Sequence, residues 1–119
     1  MFKYFDLDEF TCSHTGENDM SETFISNLDH LREQCGFPFT ITSGYRAVNH
    51  PEEAHKDKPG FHTLGVAADI AVSGGAQRRK LVDCAVGAEF DGIGIAKSFI
   101  HVDMRTLVEP EWEKMLWTY

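Results

Sequence analysis

The sequence predicts an α+β fold, a small and mostly antiparallel sheet with flanking helices. Three observations predict it. Two stretches, near 19–35 and 75–87, carry apolar residues at helical spacing. Short runs rich in β-branched residues lie between and after them, and the last reads as a hairpin. Strands and helices also mix without the regular βαβ alternation that a parallel sheet requires.

The first helix is expected over residues 19 to 35. Asp19 is in place to cap it, with Glu22 three positions on in capping-box spacing. Met20, Phe24, Leu28, Leu31 and Cys35 share one face with Ile25. Gly36 is suited to end the helix, and Pro38 prevents its resumption. "FTIT" at 39–42 reads as a short strand running into "SGYR". Residues 47 to 60, with "PEEAHKDK", have no apolar period and read as a long exposed loop of the functional or disordered kind.

"VAADIAV" at 66–72 has strand character. A second helix is expected from about 75 to 87, with Leu81, Val82, Ala85 and Val86 on its buried side. "GIGIAKSFIHVDMR" reads as a hairpin turning at "AKS". Pro110 then opens a short terminal helix carrying Trp112, Met115 and Leu116.

At 119 residues the chain has the size of one domain and can bury a core without disulfide staples. No apolar run approaches the roughly 18 residues of a membrane span. The start, "MFKYFDLDEF", lacks the basic-then-apolar order of a secretory signal, so the chain is expected to stay in the cytoplasm where it is made. Net charge is −8, with 19 acidic against 11 basic residues. The one compact basic cluster, "RRK" at 78–80, reads as a solvated helix surface, so neither nucleic acid nor membrane is an expected partner. Cys12, Cys35 and Cys84 are odd in number and widely spaced, which favours reduced thiols over a disulfide framework. Cys12 and His14 in "TCSHTG" match no standard zinc spacing.

Side chains alternate between the faces of a strand. In 66–72, Val66, Ala68, Ile70 and Val72 face one way, toward the core. Ala67, Asp69 and Ala71 face the other, with alanines leaving room around the carboxylate. In the last strand, Ile100, Val102 and Met104 form the apolar face, while Phe99, His101 and Asp103 share the opposite one. If the two strands are neighbours, Asp69 and His101 converge. His62 precedes the first of them by a turn in which Gly65 permits a sharp reversal. Two imidazoles and a carboxylate with a fourth position open form the ligand set of a catalytic zinc site. A satisfied or solvated polar residue remains the commoner fate of any single His or Asp.

"SGYR" at 43–46, "HTLGVAAD" at 62–69 and "GIGIAKSFIHVDMR" at 92–105 occur in this order. Together with the opening "YFDLDEFTC", they resemble the zinc D-Ala-D-Ala carboxypeptidase and murein endopeptidase family, over roughly residues 4 to 105. That family shares its core fold with the hedgehog signalling domain and the vancomycin-resistance dipeptidases. The resemblance implies His62, Asp69 and His101 as zinc ligands, and Arg46 as the arginine that steadies the substrate carbonyl as it becomes an oxyanion. The alternative for Arg46 is a surface salt bridge. Zinc lowers the pKa of a bound water to about 7 and polarises the scissile carbonyl. A guanidinium aimed at the developing charge contributes on the order of a hundredfold in rate.

Many members carry an acidic residue three positions before the final histidine as general base, where this chain has Ser98. Asp103, on the same strand face as His101, is the substitute candidate. Its rival role is a carboxylate that orients a ligand. Glu52, Glu53 and Asp57 in the loop are outside candidates. His50 and His55 read as solvated, His30 as lying on the polar side of its helix, and Tyr45 and Phe99 as cleft or core aromatics. The resemblance implies a zinc peptidase acting on peptidoglycan stem peptides, at a D-Ala-D-Ala or L-Ala-D-Glu type bond; a monomer is the expected state. A small phage or prophage lysin, acting on the cell wall after release, fits that reading. The alternative is a zinc-containing binding module of the same fold without hydrolytic activity.

Overall fold

A computed structural model describes residues 2–119. It has two α-helices and a five-stranded mixed sheet. In chain order, a 3-10 turn at Leu7–Phe10 precedes α1 (Glu22–Cys35), β1 (Ile41–Ser43), β2 (Ala67–Ala71) and α2 (Gly74–Gly87). Then come β3 (Gly92–Ile95), β4 (Phe99–Asp103), a 3-10 turn at Arg105–Leu107 and β5 (Met115–Thr118). The strands are ordered β1-β2-β4-β3-β5. Three of the four pairings are antiparallel, and β5 runs parallel to β3. Among the described residues, no helix is long and apolar enough to cross a membrane.

Helix α1 starts later than its sequence predicts. Ser21, not Asp19, is the N-cap, and its hydroxyl accepts from the Phe24 amide at 3.2 Å. The reason lies in the turn before β2. Gly65 has φ +77°, and a Cβ there would collide with the Asp19 carbonyl; its own carbonyl accepts from the Ser21 amide at 2.9 Å. This close backbone approach holds 19–20 outside the helix. Gly36 ends α1 in the left-handed conformation, φ 80°. The buried face of Phe24, Ile25, Leu28, Leu31 and Cys35 packs into the core beside Ala68, Ile70, Ile100 and Val102 from the sheet.

Helix α2 buries Leu81 and Ala85, but Val82 is only partly buried and Val86 is 58% exposed, so its apolar side is narrower than expected. Arg78 of the "RRK" cluster donates to the carbonyls of Ala96 and Lys97, fastening α2 to the β3–β4 turn. Cys12, Cys35 and Cys84 are free.

The expected terminal helix is absent. Pro110 and Trp112 lie in a turn and an extended link, and Met115–Thr118 pairs with β3 in register Gly92↔Met115 and Gly94↔Trp117. A segment this short forms a marginal helix by itself, whereas four strand residues here complete backbone hydrogen bonds along an open sheet edge. Segment 47–60 is the largely exposed loop expected, with one departure. It folds into successive turns, and Glu53 within it is 4% exposed.

Candidate metal centre

The outer face of the sheet carries the site because of its register. Asp69 on β2 is directly opposite His101 on β4, and Ala67 is opposite Asp103. On the other side of β4, His101 faces Gly94 and Asp103 faces Gly92. One row across the sheet therefore reads Asp69, His101, Gly94, Trp117, and the next reads Ala67, Asp103, Gly92, Met115. The core-facing residues of β2 and β4 are those that strict alternation predicts, Ala68, Ile70, Ile100 and Val102. A register irregularity between Ile41 and Ser43 of β1 brings Ser43 beside Asp69.

His62 reaches the same point from the turn before β2. Its Nε2 is 3.3 Å from Asp69 Oδ1, and His101 Nδ1 is 3.2 Å from that oxygen. All three side chains are buried. Each imidazole is fixed through its other nitrogen. His62 Nδ1 is 2.8 Å from the Gly44 carbonyl, which can only accept, so Nδ1 carries the proton and Nε2 presents a lone pair. His101 Nε2 donates to Asp103 Oδ2 at 2.7 Å, which leaves Nδ1 as the nitrogen on the Asp69 side. Two imidazole nitrogens and a carboxylate oxygen within 4.8 Å of one another are able to hold a divalent metal ion. No other group of three such side chains among the described residues meets that condition. Cys12 instead accepts from the Ala47 amide, and His14 packs edge-on against His50.

Burial alone would raise the Asp69 carboxyl, but the two histidines against it hold it well below the usual carboxylate range. Burial pushes the His62 imidazole down in spite of Asp69, favouring its neutral form. For His101 burial acts in the same sense, yet its hydrogen bonds to Asp103 and Asp69 win and raise it.

Asp103 is fully buried and uses both oxygens. Besides its bond to His101, it receives a two-pronged contact from Arg105, Nε to Oδ1 at 2.9 Å and an Nη to Oδ2 at 2.8 Å. Burial opposes its ionisation, but Arg105 and His101 hold the carboxyl below its ordinary value. The Arg105 guanidinium is itself stacked over Phe61 at 4.3 Å.

Arg46 extends into the cleft. Its Nε donates to Ser43 Oγ at 3.0 Å, one Nη lies 3.3 Å from Asp69 Oδ2, and the other lies 3.6 Å from Glu53 Oε2. Glu53 is held by the Gly60 amide, Thr63 Oγ1 and Lys56 Nζ, at 3.1, 3.0 and 2.8 Å. Despite its burial, these partners keep its carboxyl lowered.

His62, Asp69, His101 and Arg46 border one cleft of about 850 Å³, together with Glu52, Phe99, Trp117 and Tyr119. Ser98 stands exposed in the β3–β4 turn and does not border it, nor do Tyr45, His50, His55 or Asp57. Sequence reasoning missed Glu53 as an anchor, along with Arg105, Trp117 and Tyr119. A readable signal for the last three was "GIG", since Gly92 and Gly94 leave the outer face of β3 bare for neighbours to cover.

A family model described as Peptidase M15 matches residues 3–103. No curated protein matches the chain.

Proposed function

The chain belongs to the Peptidase M15 family, and we propose that it is a zinc-dependent peptidase that hydrolyses an amide bond in peptidoglycan stem peptides, of the D-Ala-D-Ala or L-Ala-D-Glu type. The observation that carries this reading is the convergence of His62 Nε2, Asp69 Oδ1 and His101 Nδ1 at the wall of the cleft. In this reading those three atoms hold the ion. Zinc bound there would supply a Lewis acid that acidifies water and polarises the scissile carbonyl.

The remaining roles belong to the chain's own groups. Gly44 and Asp103 fix the two imidazoles in the tautomers that ligation needs. The burial of Asp103 and the engagement of both its oxygens support this orienting role over that of general base. Arg46 stabilises the negative charge that develops on the carbonyl oxygen. Ser43 and Glu53 hold its guanidinium in place. Glu52 borders the cleft and is exposed, which suits it to exchange protons between the reacting groups and solvent.

The test is digestion of purified sacculi with mass analysis of the released fragments, with and without chelator. Stem-peptide fragments that disappear with chelator and return with zinc are expected. Release that chelator leaves unchanged would contradict the metal-dependent reading.

A second reading is favoured by Ser98, which stands where many members carry an acidic base. It is a zinc-containing binding module without turnover. Zinc-loaded protein that retains sacculi fragments yet releases nothing would support it.

A further inference from the structure

We propose that Trp117 and Tyr119 form a carbohydrate subsite on the β5 side of the cleft, which takes a pyranose ring of the glycan that bears the stem peptide. This rests on the peptidoglycan reading above and adds a substrate element to it. The wall concerned lies outside residues 3–103, the segment matched to the family.

The sheet register builds this wall. Trp117 pairs with Gly94, and a Cβ on Gly94 would lie 2.6 Å from the indole Nε1 and 2.7 Å from Cε2. The glycine therefore lets the indole lie close over β3, with its ring centre 5.1 Å from that of His101. Tyr119 packs 5.2 Å from Phe99 and 6.4 Å from Trp117. Tyr119 remains 70% exposed and Trp117 is half-buried, so aromatic surface is left facing solvent at the cleft. Away from β5 the cleft is lined by the charged Arg46, Glu52 and Lys56, and on the β5 side the Arg105 guanidinium lies 5.5 Å from the Trp117 ring centre.

This division matches the chemistry of a glycan-linked peptide. Carboxylates of the stem are drawn to Lys56 on the charged side, while Arg46 serves the reacting carbonyl. An indole and a phenol offer a flat apolar face with a polar edge, which complements a ring that has C–H bonds on its face and hydroxyls on its rim. Stem-peptide side chains are small, charged or flexible, and only the sugar presents such a face. A cleft of about 850 Å³ also leaves room beyond a dipeptide. One extended residue spans roughly 3.3–3.6 Å, so a ring stacked beside His101 lies within a residue or two of the candidate metal ligands. The bond served by this subsite is then one near the glycan attachment.

The test uses the N-acetylglucosaminyl-N-acetylmuramic acid disaccharide alone, titrated calorimetrically into the zinc-loaded protein. Binding is expected, weakened about tenfold or more in Trp117→Ala and in Tyr119→Ala and largely kept in Trp117→Phe. In parallel, a stem peptide carrying the disaccharide is expected to show a KM about tenfold below that of the bare peptide, with the gap closing in Trp117→Ala. If Trp117→Ala fails to fold by circular dichroism, the Tyr119→Ala and Trp117→Phe results decide. Absence of disaccharide binding, or equal binding by wild type and Tyr119→Ala, overturns the proposal. Hydrolysis of both peptides with equal KM and no disaccharide binding would remove the subsite and leave the peptidase standing. Disaccharide binding through Trp117 without hydrolysis of either peptide would keep the subsite and remove the peptidase.

Discussion

Asp69 and His101 sit directly opposite each other on adjacent antiparallel strands, with His101 Nδ1 3.2 Å from Asp69 Oδ1. A cross-strand pair is among the most rigid ways to hold two side chains together, because the backbone ladder fixes their spacing. His62 is less rigidly based, on a turn, and the Gly44 carbonyl compensates by fixing its ring.

His62→Ala, Asp69→Ala and His101→Ala are each expected to lose both metal and activity. Zinc content by elemental analysis and turnover on stem peptide check this together. Full activity in any one variant removes that residue from the site.

Asp103→Asn separates the two roles open to this aspartate. As an orienting carboxylate, its neutralisation should weaken metal affinity by about 10–100-fold, with turnover returning at excess zinc. Full zinc occupancy with a persistently collapsed rate would instead make Asp103 the general base.

Arg46→Ala should lower kcat on the order of a hundredfold while zinc is retained. Glu53→Gln should give a smaller fall in kcat, because Arg46 keeps its contacts with Ser43 and Asp69. It should also speed limited proteolysis between residues 54 and 58, since Glu53 ties that segment to Gly60 and Thr63. Loss of zinc in Arg46→Ala would show its role to be misassigned.

Gly92→Ala should destabilise the fold, because a Cβ there would collide with the Asp103 carboxylate and the Arg105 guanidinium. Neither group can shift without breaking a buried ion pair, so a loss of about 1–3 kcal/mol in urea denaturation is expected. An unchanged denaturation midpoint would mean that the cluster is looser than its geometry implies.

Much of the sheet was legible in the sequence because period-two alternation is a strong signal. It separated Asp69 from Ile70 and His101 from Val102 before any pairing was known. Strand order was not legible, since alternation gives faces but not neighbours. The C-terminal strand misled for a local reason: Pro110 opens many helices, and Trp112, Met115 and Leu116 fall at helical spacing. Met115–Thr118 is decided instead by the free edge of β3, a partner more than twenty residues back. Glu53 was hidden because nothing in a polar run marks which carboxylate turns inward. The role of Asp103 was ambiguous until both its oxygens had partners.

Anomalous X-ray diffraction at the zinc edge, on crystals of the zinc-loaded protein, tests the ligand assignment most directly. One ion is expected, bound by His62 Nε2, Asp69 Oδ1 and His101 Nδ1 at about 2.0–2.2 Å, with no fourth protein side chain. An ion seated on other residues, or closed off by a fourth protein ligand, would contradict the catalytic centre described above.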